Sequence, residues 1–168
     1  MSDAELPRFQ SSLPAETPRG RRLRAPLLVT LWGLLGVEAL GGLLLFSTRL
    51  ALGSMPGESL HVIAGAALTL IYAAYQWQHW TRVAPWRGRL DYSLGLIGAI
   101  SMGITLGTGF VLAWPWWRLR VVARAAGAVG YSPAVSSVHN IMSMLVLTFV
   151  AAHLAAVLLR DRAGKRRG

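Results

Sequence analysis

Cysteine is absent from the 168 residues. That rules out disulfides, iron–sulfur clusters, thiolate zinc sites and any covalent c-type attachment through Cys-x-x-Cys-His. Charge is scarce as well. Asp, Glu, Lys and Arg make up 14% of the chain, with only 7 acidic residues, while 54% is hydrophobic. Soluble domains carry about a quarter charged residues, so the composition excludes an ordinary water-solvated globule. Ten-residue runs of alternating polarity are also missing, which excludes a transmembrane barrel. The net charge is +10. On a soluble domain that would invite a nucleic-acid reading. Here the arginines flank the apolar runs, where they set membrane topology, and no nucleic-acid partner is expected.

What is present is four long apolar segments, near residues 26–48, 60–80, 92–114 and 135–159. Each is long enough to cross about 30 Å of hydrocarbon. Inside lipid every backbone N–H and C=O must be satisfied within the segment, so helices are expected. The reading is all-α: an integral membrane four-helix bundle over residues 26–160, a disordered basic arm at 1–25 and a basic tail at 161–168. In the arm, Arg21-Arg22 resembles a twin-arginine signal. The apolar run behind it is long enough to span, however, and lacks a small-residue cleavage site.

The connections are a short turn at Gly53–Gly57, a short basic link at Arg82–Arg89, and a stretch of about 20 residues from Pro115 to Ala134 in which Val121–Ala128 suggests a short interfacial helix. Thirteen of the 17 Lys and Arg fall in the N-tail, second connection and C-tail, and four in the first and third connections. The positive-inside rule then puts both termini in the cytoplasm, as expected for a multi-pass protein of the cell inner membrane. Trp77, Trp80 and Trp86 mark one interface and Trp114, Trp116 and Trp117 the other, as aromatic belts do.

Histidine occurs four times, at His61 and His79 on the second segment and His139 and His153 on the fourth. A polar ring buried in lipid without a partner costs a few kcal/mol, so such residues point to function. Both segments run inward. His61 therefore shares its depth with His139, and His79 with His153, and each pair could supply two axial nitrogens to one haem iron. On the fourth helix the fourteen-residue gap spans roughly 21 Å and returns to within about 40° of the same face. On the second, eighteen residues return to the same face after roughly 27 Å. The mismatch of roughly 6 Å bears on the inner pair. Tyr75, fourteen residues after His61, stands where a matched ligand would be. Gly65, one turn from His61, leaves room for a porphyrin plane. The third-helix glycines (Gly95, Gly98, Gly103, Gly107 and Gly109) serve either close helix packing or a cofactor wall. Histidines that merely brace helices are the alternative.

With these residues in view, the chain resembles the four-helix di-haem b-type cytochromes. That group includes small quinol-oxidising cytochromes and the cytochrome b subunits of formate dehydrogenases and hydrogenases. The likeness rests on His61-Val-Ile-Ala-Gly65, on Thr108-Gly109 with Pro115, and on His139-Asn140 with His153. It covers about residues 26–160. The resemblance implies non-covalent haem b, one or two per chain, ligated by histidine, and electron exchange with a membrane quinone. The departure is on helix two, where Tyr75 replaces the expected histidine and His79 lies four residues later. Helix one carries no histidine to substitute.

Among the other polar residues, Glu38 sits mid-span, where a carboxylate must be protonated, paired or turned to a cavity. Glu38 and Glu58 are the candidates for proton or quinone contact. Arg118 and Arg120, with Arg124, lie where outer haem propionates would need cations; Arg82, Arg87 and Arg89 lie near the inner edge. Asp91 is placed as the N-cap of helix three, and Met102, Met142 and Met144 as packing residues. The expected function is a membrane cytochrome subunit carrying electrons between a quinone pool and partner redox subunits. Two rivals are a non-catalytic membrane anchor or assembly subunit and a chlorophyll-binding subunit.

Overall fold

A proline opens the first helix and a left-handed glycine closes it. Pro26 takes the first helical position, where its missing N–H removes nothing, and α1 runs Pro26–Leu52. Gly53 ends it at φ 65°, its N–H returning to the Arg49 carbonyl at 3.0 Å. Only a residue without Cβ adopts that conformation at no steric cost. Pro56 and Gly57 (φ 86°) complete the turn. Glu58 then starts α2, Glu58–Val83, with a carboxylate in the first turn, where the helix dipole favours negative charge. This computed structural model describes residues 25–83 and 90–165. The N-terminal arm, and Trp86, Arg87 and Arg89 of the second connection, lie outside the described residues.

Helix α3 runs Leu90–Trp117 and α4 Pro133–Lys165. All four helices are long and apolar enough to cross a membrane, and no strand occurs among the described residues. Each extends beyond its expected apolar core. The hydrophobic runs mark only the apolar stretch of each helix, whereas the helices continue through Glu58 at one end and Arg160 at another. Asp91 is not the N-cap of α3: it lies within the first turn.

Pro115 does not end α3. The helix passes through it to Trp117 and then widens into a π-helical turn, Arg118–Val122. Proline removes one backbone donor and crowds the carbonyl four residues back. The chain relaxes just beyond it, with Ala123 N–H donating to the Arg118 carbonyl at 2.9 Å and Ala125 N–H to Leu119 at 3.0 Å. The short helix expected at Val121–Ala128 is therefore replaced by this wider turn and irregular backbone, with Arg124 at φ 50° and Gly127 at φ 128°.

The helices pair as two hairpins. α1 packs on α2 and α3 packs closely on α4, while α2 meets the second hairpin along a thinner seam. Gly98 lies at the α3–α4 contact, where a Cβ would stand 3.6 Å from Phe149 Cβ, an ordinary van der Waals distance. Few side chains are deeply buried; they include Leu68, Ser101, Met102 and Val146. Large apolar side chains such as Leu40 and Leu70 are about three-quarters exposed (73% and 74%). In water that much exposed leucine would favour association.

Candidate functional site

The seam between the hairpins holds all four histidines. The His61 and His139 ring centres are 6.4 Å apart with planes at 87°. The His79 and His153 centres are also 6.4 Å apart, at 89°. The inner pair thus meets at the same separation as the outer one. The roughly 6 Å difference in rise between α2 and α4 does not carry over to the ring separations.

On the α3–α4 side the two levels repeat one device. His139 Nδ1–H donates to the Thr105 carbonyl at 3.0 Å, and its ring lies over Gly109, where a Cβ would be 3.4 Å from Cε1. His153 Nδ1–H donates to the Asp91 carbonyl at 2.7 Å, and its ring lies over Gly95, where a Cβ would be 3.0 Å from Nδ1. A carbonyl only accepts, so both rings carry the proton on Nδ1. In each case the accepting carbonyl lies one turn before the glycine. Carbonyls, glycines and histidines all recur after fourteen residues. Thr108 Oγ1 adds a 3.2 Å contact to His139 Nδ1. Of the remaining α3 glycines, Gly103 and Gly107 face open space.

On the α2 side the levels differ. His61 Nδ1 lies 3.1 Å from Glu38 Oε2 of α1, a close contact without an aligned hydrogen bond. The other oxygen, Oε1, is buried with no hydrogen-bond partner. Three glycines face this pair. Cβ atoms at Gly41 and Gly42 would stand 3.7 and 3.4 Å from the His61 ring, ordinary contacts, and one at Gly65 would stand 3.3 Å from Glu38 Oε2, a tight one. Gly65, expected beside a porphyrin plane, faces the Glu38 carboxylate. A small cavity of about 90 Å³ opens beside this pair, lined largely by α1 and the α1–α2 turn. At the other level Tyr75 stacks on His79 at 5.3 Å and 15°, with its hydroxyl 3.4 Å from His79 Nδ1. The tyrosine standing at the matched-ligand position is thus a partner of the actual histidine.

The basic residues beyond α3 are arranged around the loop. Arg120 donates to the Ala125 and Gly127 carbonyls at 3.0 and 2.8 Å and lies 3.8 Å from Glu58 Oε2. Its guanidinium is engaged in folding the loop. Arg118 opens the π-helical turn. Tyr131 donates to Glu58 Oε1, and Trp116 donates to Ser59 Oγ at 3.2 Å. Burial first, then the bond to Glu58, pushes the Tyr131 phenol above its ordinary value. Glu58 thus fastens the loop to the start of α2. At the opposite end Arg160 pairs with the Asp91 carboxylate, bracing the segment whose carbonyl holds His153.

Sequence reasoning missed the Glu38–His61 contact and the Thr105 and Asp91 acceptors. Signals for both were present: Gly41 and Gly42 follow Glu38 by three and four residues, on its own face, and Gly95 and Gly109 share the fourteen-residue interval of the histidines. Among the described residues no group of three or more His, Asp or Glu side chains is arranged to hold a metal ion. Comparison with protein-family models, curated proteins and solved structures finds no match.

Proposed function

We propose that the chain is a membrane b-type cytochrome subunit that binds two haems b and carries electrons between a quinone pool and a partner redox protein. The carrying observation is the 6.4 Å ring separation found at both levels. Two axial nitrogens about 2 Å from one metal, each about 1 Å from its ring centre, require ring centres roughly 6 Å apart. A pair of imidazoles is an incomplete site for a bare ion but a complete axial set for an iron whose other four positions belong to a macrocycle. Magnesium in a chlorophyll takes a single axial ligand and leaves such pairing without purpose.

His61 with His139, and His79 with His153, are the residues that would each hold one haem. The carbonyls of Thr105 and Asp91 keep the proton of His139 and His153 on Nδ1, which presents Nε2 as the ligating nitrogen. The bound haem supplies one-electron redox chemistry. The apolar helices would exclude water, and Glu38 and Glu58 are the carboxylates proposed for proton exchange with a quinone. Both termini lie on the cytoplasmic side of the inner membrane in this reading, following the arginine distribution.

The test is a reduced-minus-oxidised difference spectrum of the purified chain, with haem counted as the pyridine haemochrome. A b-type band with two haems per chain is expected. A flat spectrum would leave a membrane anchor or assembly subunit as the better reading, and a far-red band would indicate chlorophyll.

A further inference from the structure

The chain itself joins the two hairpins at one end only. Residues 84–89 connect α2 to α3 at the His79–His153 end of the seam. At the His61–His139 end the ties are side chains. Glu58 and Ser59, the first two residues of α2, are gripped from three places on the second hairpin. Trp116, near the end of α3 and only 7% exposed, donates its Nε1–H to Ser59 Oγ at 3.2 Å. Arg120, in the π-helical turn, lies 3.8 Å from Glu58 Oε2. Tyr131, just before α4, donates to the other oxygen, Oε1. The Arg120 guanidinium also donates to the Ala125 and Gly127 carbonyls, so one side chain folds the loop and grips α2. Contacts on a carboxylate are stronger than neutral ones, and the Glu58 side chain is largely shielded from solvent. His61 follows Glu58 by one turn on the same face of α2, its N–H donating to the Gly57 carbonyl at 3.1 Å.

We infer that these contacts form a clasp anchored on Glu58, which closes the seam at its unjoined end, holds His61 against His139 and so retains the haem of that level. The retention rests on the haem reading above; the clasp itself does not. Helix packing across the seam is thin among the described residues, so side-chain ties weigh heavily there. A group held between two rings is released when the rings part. With the far end joined by the chain, the hairpins part most widely at the clasped end. A closed clasp pre-organises the ring pair, and a pre-organised site binds more tightly because less ordering remains to be done on binding. Glu58 acts on His61 through the helical turn they share, which makes it a positioning residue.

The experiment has two readings on the full chain. The absence of cysteine lets spin labels enter without background through Ser54→Cys in the α1–α2 turn and Ala126→Cys in the α3–α4 loop, both exposed. Double electron–electron resonance on the haem-free chain should give one narrow distance, which Glu58→Ala should broaden. The second reading is the rate of haem transfer to excess apomyoglobin. It is taken on His153→Ala, which keeps the His61–His139 haem, and on His139→Ala, which keeps the other. Glu58→Ala should speed transfer about tenfold in the first background, as expected for losing a contact to a charged group, and leave the second unchanged. Glu58→Gln keeps an acceptor for Tyr131 and should restore part of the slow rate. Should Glu58→Ala fail to assemble, Tyr131→Phe removes one contact and decides by the same readings with a smaller change. A distance distribution that losing the contact leaves unchanged, or equal acceleration in both backgrounds, overturns the inference. A chain that takes up no haem defeats the haem reading, and the spin-label distances then test the clasp by themselves.

Discussion

The His61–His139 and His79–His153 levels reach the same ring separation from different registers. On α4 the histidines are fourteen residues apart and on α2 eighteen, yet both pairs stand at 6.4 Å with near-perpendicular planes. The α4 side is built twice to one plan: a carbonyl at Nδ1 and a glycine under the ring, repeated at the histidine interval. The α2 side is built once with a carboxylate from α1 and once with a tyrosine from one turn earlier. The ring separation is thus the same at both levels, while the partners of the α2 rings differ.

The comparison is broken most severely by removing a ring. His139→Ala and His153→Ala should each remove one haem and halve the pyridine haemochrome count; full retention in either variant contradicts the paired levels. Gly95→Ala and Gly109→Ala ask whether the repeated glycines are equally strict. The added methyl meets His153 Nδ1 at 3.0 Å but His139 Cε1 at 3.4 Å. Gly95→Ala should cost about 1–3 kcal/mol by overpacking, read as a lower thermal midpoint and a weakened second haem. Gly109→Ala should be near neutral, because helix propensity returns up to about 1 kcal/mol. Equal losses would mean that the two cradles are equivalent.

Tyr131→Phe removes the phenol's bond to Glu58 beside the first level and should cost about 1 kcal/mol. Its pH dependence has a definite sign. The folded state holds the phenol protonated above the ordinary value near pH 10. The contribution is therefore complete below about pH 10 and is lost as pH rises through the higher folded value. Thermal midpoints of wild type and Tyr131→Phe should differ at pH 8 and converge in strong alkali. The smallest effect is expected from Tyr75→Phe, which removes a neutral partner 3.4 Å from His79. The haem count of the Tyr75→Phe chain, read as the pyridine haemochrome, should stay at that of wild type; loss of one haem would contradict a minor role for this contact.

Much of this architecture was legible in the residues. Apolar runs located the four helices because lipid-matched length is a one-dimensional property. The helix ends were not legible to the same degree, since Glu58 and Arg160 extend the hydrogen-bonded ladder past the apolar window. Pairing of His61 with His139 and His79 with His153 followed from counting spans and charges. That the second pair would close as tightly as the first did not, because residue counts carry rise along an axis but not inclination between axes. Glu38 was recognisable as costly, but its partner depends on how α1 crosses α2. The widening after Pro115 depends on how the lost hydrogen bond is compensated, which a proline alone does not specify.

Low-temperature EPR of the oxidised chain tests the central claim most directly. Perpendicular axial imidazoles leave the two iron orbitals of π symmetry nearly degenerate, so two highly anisotropic low-spin ferric signals are predicted, one from each level. Rhombic low-spin signals, which parallel rings produce, a high-spin signal, which a single axial ligand produces, or the absence of iron would each contradict two crossed histidine pairs gripping haem.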